Sequence, residues 1–261
     1  MQAVTISLSP SEIVSRYGLH IFPSKITLEG YRMVFKYNLI WQSYLNTIVR
    51  TVTGTSLTVL LLVLSAYPLS KKKLPNRTFW TAFIVFTMYF SGGIIPRYIL
   101  VRNLRFMDSI FALILPSALS AFTIIIVRNF FMALPEELEE SAKIDGANDI
   151  YILFKIVIPL SMPVIATVTL WSAVWHWNSW FDCMIYIRTK AKFVLQYVLR
   201  MILLEGQMEI MEDLMFDATE YIHTETMKMA TLVVALLPII CVYPFLQKYF
   251  IKGILIGSLK G

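Results

Sequence analysis

Charged residues are scarce in this 261-residue sequence. Asp, Glu, Lys and Arg together make up 15% of it, where a soluble globular domain carries about a quarter. One large soluble core is therefore a poor fit. Cysteine is scarcer still: Cys183 and Cys241 are too few for the disulfide framework of a small secreted module. The three histidines, His20, His176 and His223, lie far apart and form neither H-x-x-x-H nor H-E-x-x-H, so no metal-binding pattern is written in them. No GxxxxGK[ST] loop occurs either, and the chain is not expected to bind or hydrolyse ATP itself. What abounds is apolar. Hydrophobic residues make up 57% and aromatics 14%, and the mean hydropathy is +0.66. Such a chain cannot stay solvated as a disordered coil. These absences and excesses describe an integral membrane protein.

A hydrocarbon core about 30 Å thick needs roughly 20 helical residues to cross it. Five stretches without Asp, Glu, Lys or Arg meet that length: Thr51–Ser70, Thr78–Pro96, Ser109–Val127, Ile156–Phe181 and Met229–Gln247. The first extends back toward Tyr44 if Arg50 snorkels to the surface. The expected spans are thus about 45–70, 78–96, 109–127, 156–181 and 229–247, within a transmembrane domain over 44–250. Gly54, Thr55, Ser56 and Thr58 in the first span, Ser117, Ser120 and Ala121 in the third, and Ser161, Thr167, Thr169 and Ser172 in the fourth allow close helix approach. They point to a packed bundle rather than separate anchors. Gly92–Gly93, followed by Ile94, Ile95 and Pro96, suits a bend or a close contact better than a phosphate cradle. Residues 1–43, punctuated by Pro10, Glu12, Arg16, Lys25, Glu29 and Arg32, read as a segment outside the bilayer, at its surface or packed on the bundle.

Charge gives two conflicting cues to orientation. The short loop carrying Lys71, Lys72, Lys73 and Arg77 favours the cytoplasmic side. Another short loop with Arg97, Arg102 and Arg105 would then face outward, and the whole-chain count leans slightly the same way. The net charge of +6 requires no nucleic acid, because anionic headgroups are the natural neighbours of these residues.

The most informative stretch is Arg128–Lys155, between the third and fourth spans. Pro135 suits a first helical turn, where a missing N–H costs nothing. Glu136, Glu137 and Glu139 follow at the positive end of the helix dipole. Asp145 and Gly146 read as a sharp turn with glycine at positive φ, and a second helix starts near Asn148 or Asp149. The spacing predicts a helix–turn–helix knuckle leading through Pro159 and Pro163 into the fourth span. On the residues alone, an ordinary acidic loop with helical ends fits equally well.

Glu140-Ser141-Ala142-x-x-Asp145-Gly146-Ala147, followed twelve residues after Ala147 by Pro159 and then by Pro163, resembles the EAA motif. That motif marks permease subunits of bacterial ABC importers that work with a substrate-binding protein. Ser141 stands where the motif usually has its first alanine. FTMYFSGGIIPRY (86–98), NTIVRTVTGT (46–55), LSAYPLS (64–70), IPLSMPVIAT (158–167) and WHWNSWF (175–181) extend the resemblance to the carbohydrate-uptake, maltose-importer-like family. The similarity is to its oligosaccharide branch, linked to aldouronate and alginate, and runs from roughly Phe22 to the C-terminus.

The resemblance implies an all-α polytopic membrane protein with the type I ABC importer permease bundle. Five spans are visible, and a sixth is expected to lie before residue 1; a member lacking that span is the alternative. It implies a multi-pass protein of the bacterial cytoplasmic membrane, with 128–155 as a cytoplasmic coupling loop and 182–228 as an exterior loop. The implied partners are a second homologous permease, two ATPase subunits that use Mg-ATP, an extracytoplasmic solute-binding protein and lipid. No cofactor is implied for this chain. Glu140, Ser141, Ala142, Asp145, Gly146 and Ala147 carry the coupling role over, with Pro159 and Pro163 fixing the exit into the fourth span. Leu138, Ile144 and Ile150 offer an apolar docking face, packing back on the bundle being the equal alternative. Trp171, Trp175, His176, Trp177, Asn178 and Trp180 form either a substrate path or, more in keeping with their position, an interfacial girdle. The implied function is ATP-driven import of a sugar or oligosaccharide. Three competing readings are a permease for a non-sugar solute, a membrane enzyme, for which no catalytic constellation is visible, and a structural anchor, which leaves the knuckle unexplained.

Overall fold

The computed structural model describes residues 2–10, 26–36, 38–205, 226–238 and 240–241, and regular structure among them is entirely helical. Two short helices, α1 (Gln2–Ser7) and α2 (Glu29–Lys36), precede α3 (Asn38–Ser70). At 33 residues and 1.5 Å per residue, α3 is about 50 Å long and exceeds the hydrocarbon thickness. It runs well upstream of the first uncharged stretch and reaches beyond any single bilayer core.

The next three spans are each bent, the first of them at Gly92–Gly93, where the sequence suits a bend. Helices α4 (Arg77–Tyr89) and α5 (Ile94–Asn103) meet at 111°. The break falls on Phe90–Gly93, with Gly93 at φ 83°, a conformation that a β-carbon disfavours. Helix α6 (Ile110–Ile114) passes into a 3₁₀ turn, Leu115–Ser117, and α7 (Ala121–Met132) departs at 55°. Pro116 in that turn has no N–H to donate to the preceding turn. After α8 (Glu137–Ile144), helix α9 (Asp149–Leu160) contains a π turn, Leu153–Val157. It meets α10 (Met162–Asn178) at 85° around Ser161. Pro163 explains the last break, since it cannot donate to the carbonyl of Pro159. Among the described residues one helix, α3, is long and apolar enough to cross a membrane, and up to four spans result if each bent pair is one span. The chain continues through α11 (Phe181–Tyr186), a 3₁₀ turn at Lys190–Lys192, α12 (Leu195–Arg200) and a π turn at Met201–Glu205. The last described helix, α13 (Thr226–Pro238), covers part of the fifth expected span; most of its remainder, and residues 206–225 of the expected exterior loop, lie outside the described residues.

The described residues form two compact units, one drawn from within Met1–Arg50, Met107–Ser109 and Trp177–Tyr243, the other from within Thr51–Phe106 and Ile110–His176. In the second, Leu62, Ala66 and Leu69 on α3 pack with Ile124, Val127 and Phe131 on α7, Ile152, Leu153 and Val157 on α9, and Val164, Ile165 and Val168 on α10. The 3–4 residue spacings on α3 and α7, and the adjacent pairs followed by a residue one turn on in α9 and α10, put each set on one helical face, and the four helices share one core. In the first unit, Val34, Ile40, Trp177, Leu195, Leu199, Ala230 and Ala235 form a separate core. Trp177 donates its Nε1–H to the Ala235 carbonyl at 3.3 Å and meets the Tyr44 ring edge-on.

Arg50 does not snorkel. Its side chain is fully buried, donating from Nη1 to the Ser179 carbonyl at 3.0 Å and forming a two-point ion pair with Asp182. The physical reason is proximity in space: Asp182 offers a carboxylate 132 residues away in sequence, which removes any gain from reaching the surface. Breaking a buried pair by removing one partner costs about 3–5 kcal/mol, because the other charge is left uncompensated. Asp182→Ala is accordingly expected to lower the thermal unfolding midpoint of the purified complex by several degrees, with Asp182→Glu intermediate. An unchanged midpoint for Asp182→Ala would show that the pair contributes nothing.

Candidate functional site

The knuckle exists as α8, a four-residue turn and the start of α9. Its turn is a helix C-cap. The Gly146 N–H donates to the Lys143 carbonyl at 3.1 Å, and the Ala147 N–H donates to the Ala142 carbonyl at 2.9 Å. Gly146 sits at φ 83°. These two bonds with a left-handed glycine constitute a Schellman motif, which satisfies carbonyls that the helix end leaves open. The Ala-x-x-x-Gly-Ala part of the sequence pattern is thus a folding instruction. Ala142 and Ala147 both pack against the core shared by α3, α7, α9 and α10, and larger side chains would lift the turn away from it. On the far side of the turn, Asn148 caps α9 by accepting from the Tyr151 N–H at 2.8 Å. Lys143 bridges the turn to Asp149 at 2.8 Å. The hydrogen bond it donates to that carboxylate holds the Lys143 ammonium above its ordinary range, although both groups are exposed enough for the pair to add little stability.

The rest of the motif faces solvent. Glu140, Ser141, Asp145 and Gly146 are exposed. Leu138, Ile144 and Ile150 are 44%, 87% and 70% exposed. Pro159 is exposed and Pro163 half-buried, on either side of the Ser161 bend. The knuckle therefore presents an apolar tip on an acidic helix, held to the core by two half-buried alanines.

Elements distant in sequence converge on the base of α8. Lys71 forms an ion pair with Glu139, and its Nζ lies 4.3 Å from the centroid of the Tyr67 ring. Lys72 pairs with Glu136 at 2.6 Å, and that bond holds the Glu136 carboxyl below its ordinary range. The Leu69 carbonyl, near the end of α3, accepts from both Arg77 Nε and Arg128 Nε at 3.0 Å. A groove of about 560 Å³ runs between the Lys71–Pro75 loop and the knuckle.

Comparison with known proteins adds the following. The family described as "Binding-protein-dependent transport system inner membrane component" matches residues 30–256. The chain belongs to this family. It is 44% identical over 252 residues, 96% of this chain and 87% of the relative, to "Polygalacturonan/rhamnogalacturonan transport system permease protein YtcP" of Bacillus subtilis (strain 168). It is 44% identical over 256 residues, 96% of this chain and 84% of the relative, to "Protein LplC" of the same organism. A crystal structure of a bacterial ABC transporter involved in the import of the acidic polysaccharide alginate matches with a TM-score of 0.89 and 35% identity, covering 95% of this chain and 89% of that one. The permease is a multi-pass inner-membrane protein and a translocation subunit, not an enzyme. In its family's architecture it works with a second permease, a solute-binding protein and ATPase subunits that handle the nucleotide.

The aromatic cluster of this permease divides by environment. Trp171 and Trp175, four apart on α10, are exposed. His176 is buried beside Trp175, ring centroids 4.9 Å apart, and its ring fills a notch left by Gly54, where an added β-carbon would lie 2.5 Å from it. Trp177 is buried in the core of the other unit. Asn178 is exposed, and the Trp180 ring carries the Arg200 guanidinium at 3.8 Å. His176, Trp177 and Trp180 are thus committed to packing, whereas Trp171, Trp175 and Asn178 stay at the surface.

A second polar constellation is not legible in the sequence. Asp108, at φ 57°, accepts from the backbone N–H groups of Arg188 and Thr189 at 3.0 Å, from Thr189 Oγ1 at 2.7 Å and from Lys192 Nζ at 2.8 Å. Asn46 Nδ2 donates to the carbonyls of Ala191 and Phe193, and the Leu195 N–H donates to Thr47 Oγ1. Residues 188–195 are pinned from two sides. The Lys192 ammonium and the Thr189 amide hold the Asp108 carboxyl well below the usual carboxylate range. A depressed folded-state value stabilises the clasp above the ordinary carboxyl pKa of about 4 and loses that contribution as pH falls through the folded value. Amide exchange at Arg188 and Thr189, corrected for intrinsic rates, is expected to stay constant between about pH 8 and 5, above both values. Asp108→Ala is expected to speed it at every pH in that range; equal exchange in the variant would remove the clasp.

Proposed function

We propose that this permease imports oligosaccharides released from acidic polysaccharides, delivered by an exterior binding protein, with the α8–α9 knuckle receiving the stroke of the ATPase subunits. Sugar or oligosaccharide import is the function its family relationships carry. The observation behind the acidic class is the whole-chain likeness to an importer of alginate, seconded by the relative named for polygalacturonan and rhamnogalacturonan. Charge supports it. Arg97, Arg102 and Arg105, and Arg188, Lys190 and Lys192, are all exposed in two segments assigned to the exterior side, where positive potential favours the approach of a polyanion.

The accompanying topology has five spans, with 1–43 and 182–228 exterior and 128–155 cytoplasmic. Support for the orientation comes from the ion pairs between the Lys71–Lys72 loop and the knuckle. They put the short basic loop on the knuckle's side of the bundle, and a short Lys-rich loop favours the cytoplasm. Glu140, Ser141, Ala142, Asp145, Gly146 and Ala147 serve coupling. Ala142, Gly146 and Ala147 set the shape of the turn, and Glu140, Ser141 and Asp145 belong to the surface that the ATPase meets. Leu138, Ile144 and Ile150 supply its apolar contact, since large exposed apolar side chains mark interaction sites. Pro159 and Pro163 fix the bend by which the knuckle enters α10. Trp171, Trp175 and Asn178 are the residues of the aromatic cluster best placed for a sugar, whose apolar faces stack on indole.

Two outcomes test this reading. Proteoliposomes containing the whole complex and its binding protein are expected to take up oligogalacturonate or alginate oligomers in preference to neutral oligosaccharides of equal length; preference for the neutral ones would remove the acidic assignment while keeping the permease. Gly146→Val puts a β-branched residue at positive φ, a conformation costing of order 1–3 kcal/mol. It is expected to leave membrane insertion intact while solute uptake per ATP falls sharply. Unaltered uptake in an assembled complex would sink the coupling role of the turn.

A further inference from the structure

The knuckle is joined to the bundle by covalent connections at both ends, by the packing of Ala142 and Ala147 on the shared core, and by ion pairs at its base. At the far end, Asn148 passes directly into α9. At the near end, α8 follows α7 through Ala133–Glu136, a four-residue connection outside both helices. The helical ladder is interrupted over these four residues, so the backbone does not carry a push on α8 to α7 as one continuous helix would. Beside the apolar packing of Ala142 and Ala147, the polar contact that ties α8 directly to the end of α3 is Lys71. Its ammonium bonds both carboxylate oxygens of Glu139 in the first turn of α8 while resting on the face of Tyr67. Tyr67 is itself buried, edge-on to Phe131 of α7. Lys71 directly follows the last residue of α3, whose Leu69 carbonyl is gripped by Arg77 and Arg128. The pair is also unlike its neighbour. Lys71 and Glu139 are 29% and 16% exposed, whereas Lys72 and Glu136 are 72% and 64% exposed. Solvent screens the second pair far more than the first. A flanking cation–π contact adds to the attraction on Lys71 as it is desolvated.

We propose that Lys71 is a positioning residue for energy coupling, fastening α8 to the end of α3 so that a displacement of the knuckle moves α3 together with α9 and α10. This rests on the coupling role given to the knuckle above. Without the fastening, the knuckle still docks on its ATPase partner and still drives α9 through the chain, but α3 lags. The consequence is nucleotide hydrolysis without the full movement of the bundle, rather than loss of assembly.

The test uses the complete complex with its binding protein in proteoliposomes, reading solute imported per ATP hydrolysed and co-purification of the ATPase subunits. Lys71→Met and Glu139→Gln are each expected to lower the import-to-hydrolysis ratio by about fivefold or more, the lower end of typical coupling effects, with co-purification unchanged. Lys71→Arg keeps the charge and is expected to stay near wild type. The exchanged pair Lys71→Glu with Glu139→Lys restores the ion pair but not the cation–π contact with Tyr67, and is expected to recover part of the ratio lost in the single variants, which a merely structural contact of either residue with a third group would not do. Wild-type ratios in both single variants overturn the proposal, and so does an exchanged pair no better than the singles or failing to assemble. Gly146→Val separates the two readings: if it uncouples while Lys71→Met does not, the fastening alone is wrong; if neither uncouples, the coupling role of the knuckle falls too.

Discussion

A helix that ends at the edge of a bilayer leaves carbonyls facing a region where water is scarce, and each must find a donor from the protein. The end of α3 answers that demand with two arginines on one oxygen. Arg77 begins α4, and Arg128 lies on α7; both reach Leu69. Three helices are therefore fixed at one point by a backbone group that had to be satisfied anyway. The core of Leu62, Ala66, Val127, Ile152 and Ile165 builds outward from that point. Lys71 lies one residue beyond the helix end and holds Glu139 beside it, so α8 is tied to the bundle close to that same point.

The three bent pairs follow from a second constraint. Hydropathy is a property of composition, and a run of apolar residues crosses a membrane only if it keeps one direction. Gly93, Pro116 and Pro163 each interrupt the i→i−4 ladder or free a conformation that ends it. The runs containing them are predominantly apolar but change course by 55° to 111°. Breaks of this kind are tolerated in membrane proteins where packed neighbours re-satisfy the freed backbone groups. At Ser161 the chain does so locally, its N–H donating to the carbonyls of both Val157 and Ile158.

What is legible in the sequence, and what is not, divides along the range of the interactions. The knuckle is readable because its signals are local: a proline before α8, acids in its first turn, glycine at the turn, and asparagine at the start of α9 all act within about one helical turn. The existence of α3 is readable for the same reason. Arg50 misleads because its partner is 132 residues away, and a lone arginine in an apolar run looks like one that must reach water. Asp108 escapes notice because nothing beside it in sequence suggests donors arriving from Arg188, Thr189 and Lys192. The aromatic run around His176 gives a composition but not a direction: neighbours in sequence point into separate cores or out to the surface.

The Schellman turn has a consequence for how such a subunit changes partners. The residues that make the turn, Ala142, Gly146 and Ala147, and the residues that point away from it, Ser141, Ile144 and Asp145, are interleaved within a single short stretch, 141–147. The first group is answerable to the permease's own core; the second, on the docking role proposed for the tip, to the surface pressed against it. On that reading a substitution in the second group would rewrite recognition and leave the joint intact. One short stretch of chain would thereby keep its shape and its address on separate letters, and a permease of this build could be re-matched to a different motor subunit without being refolded.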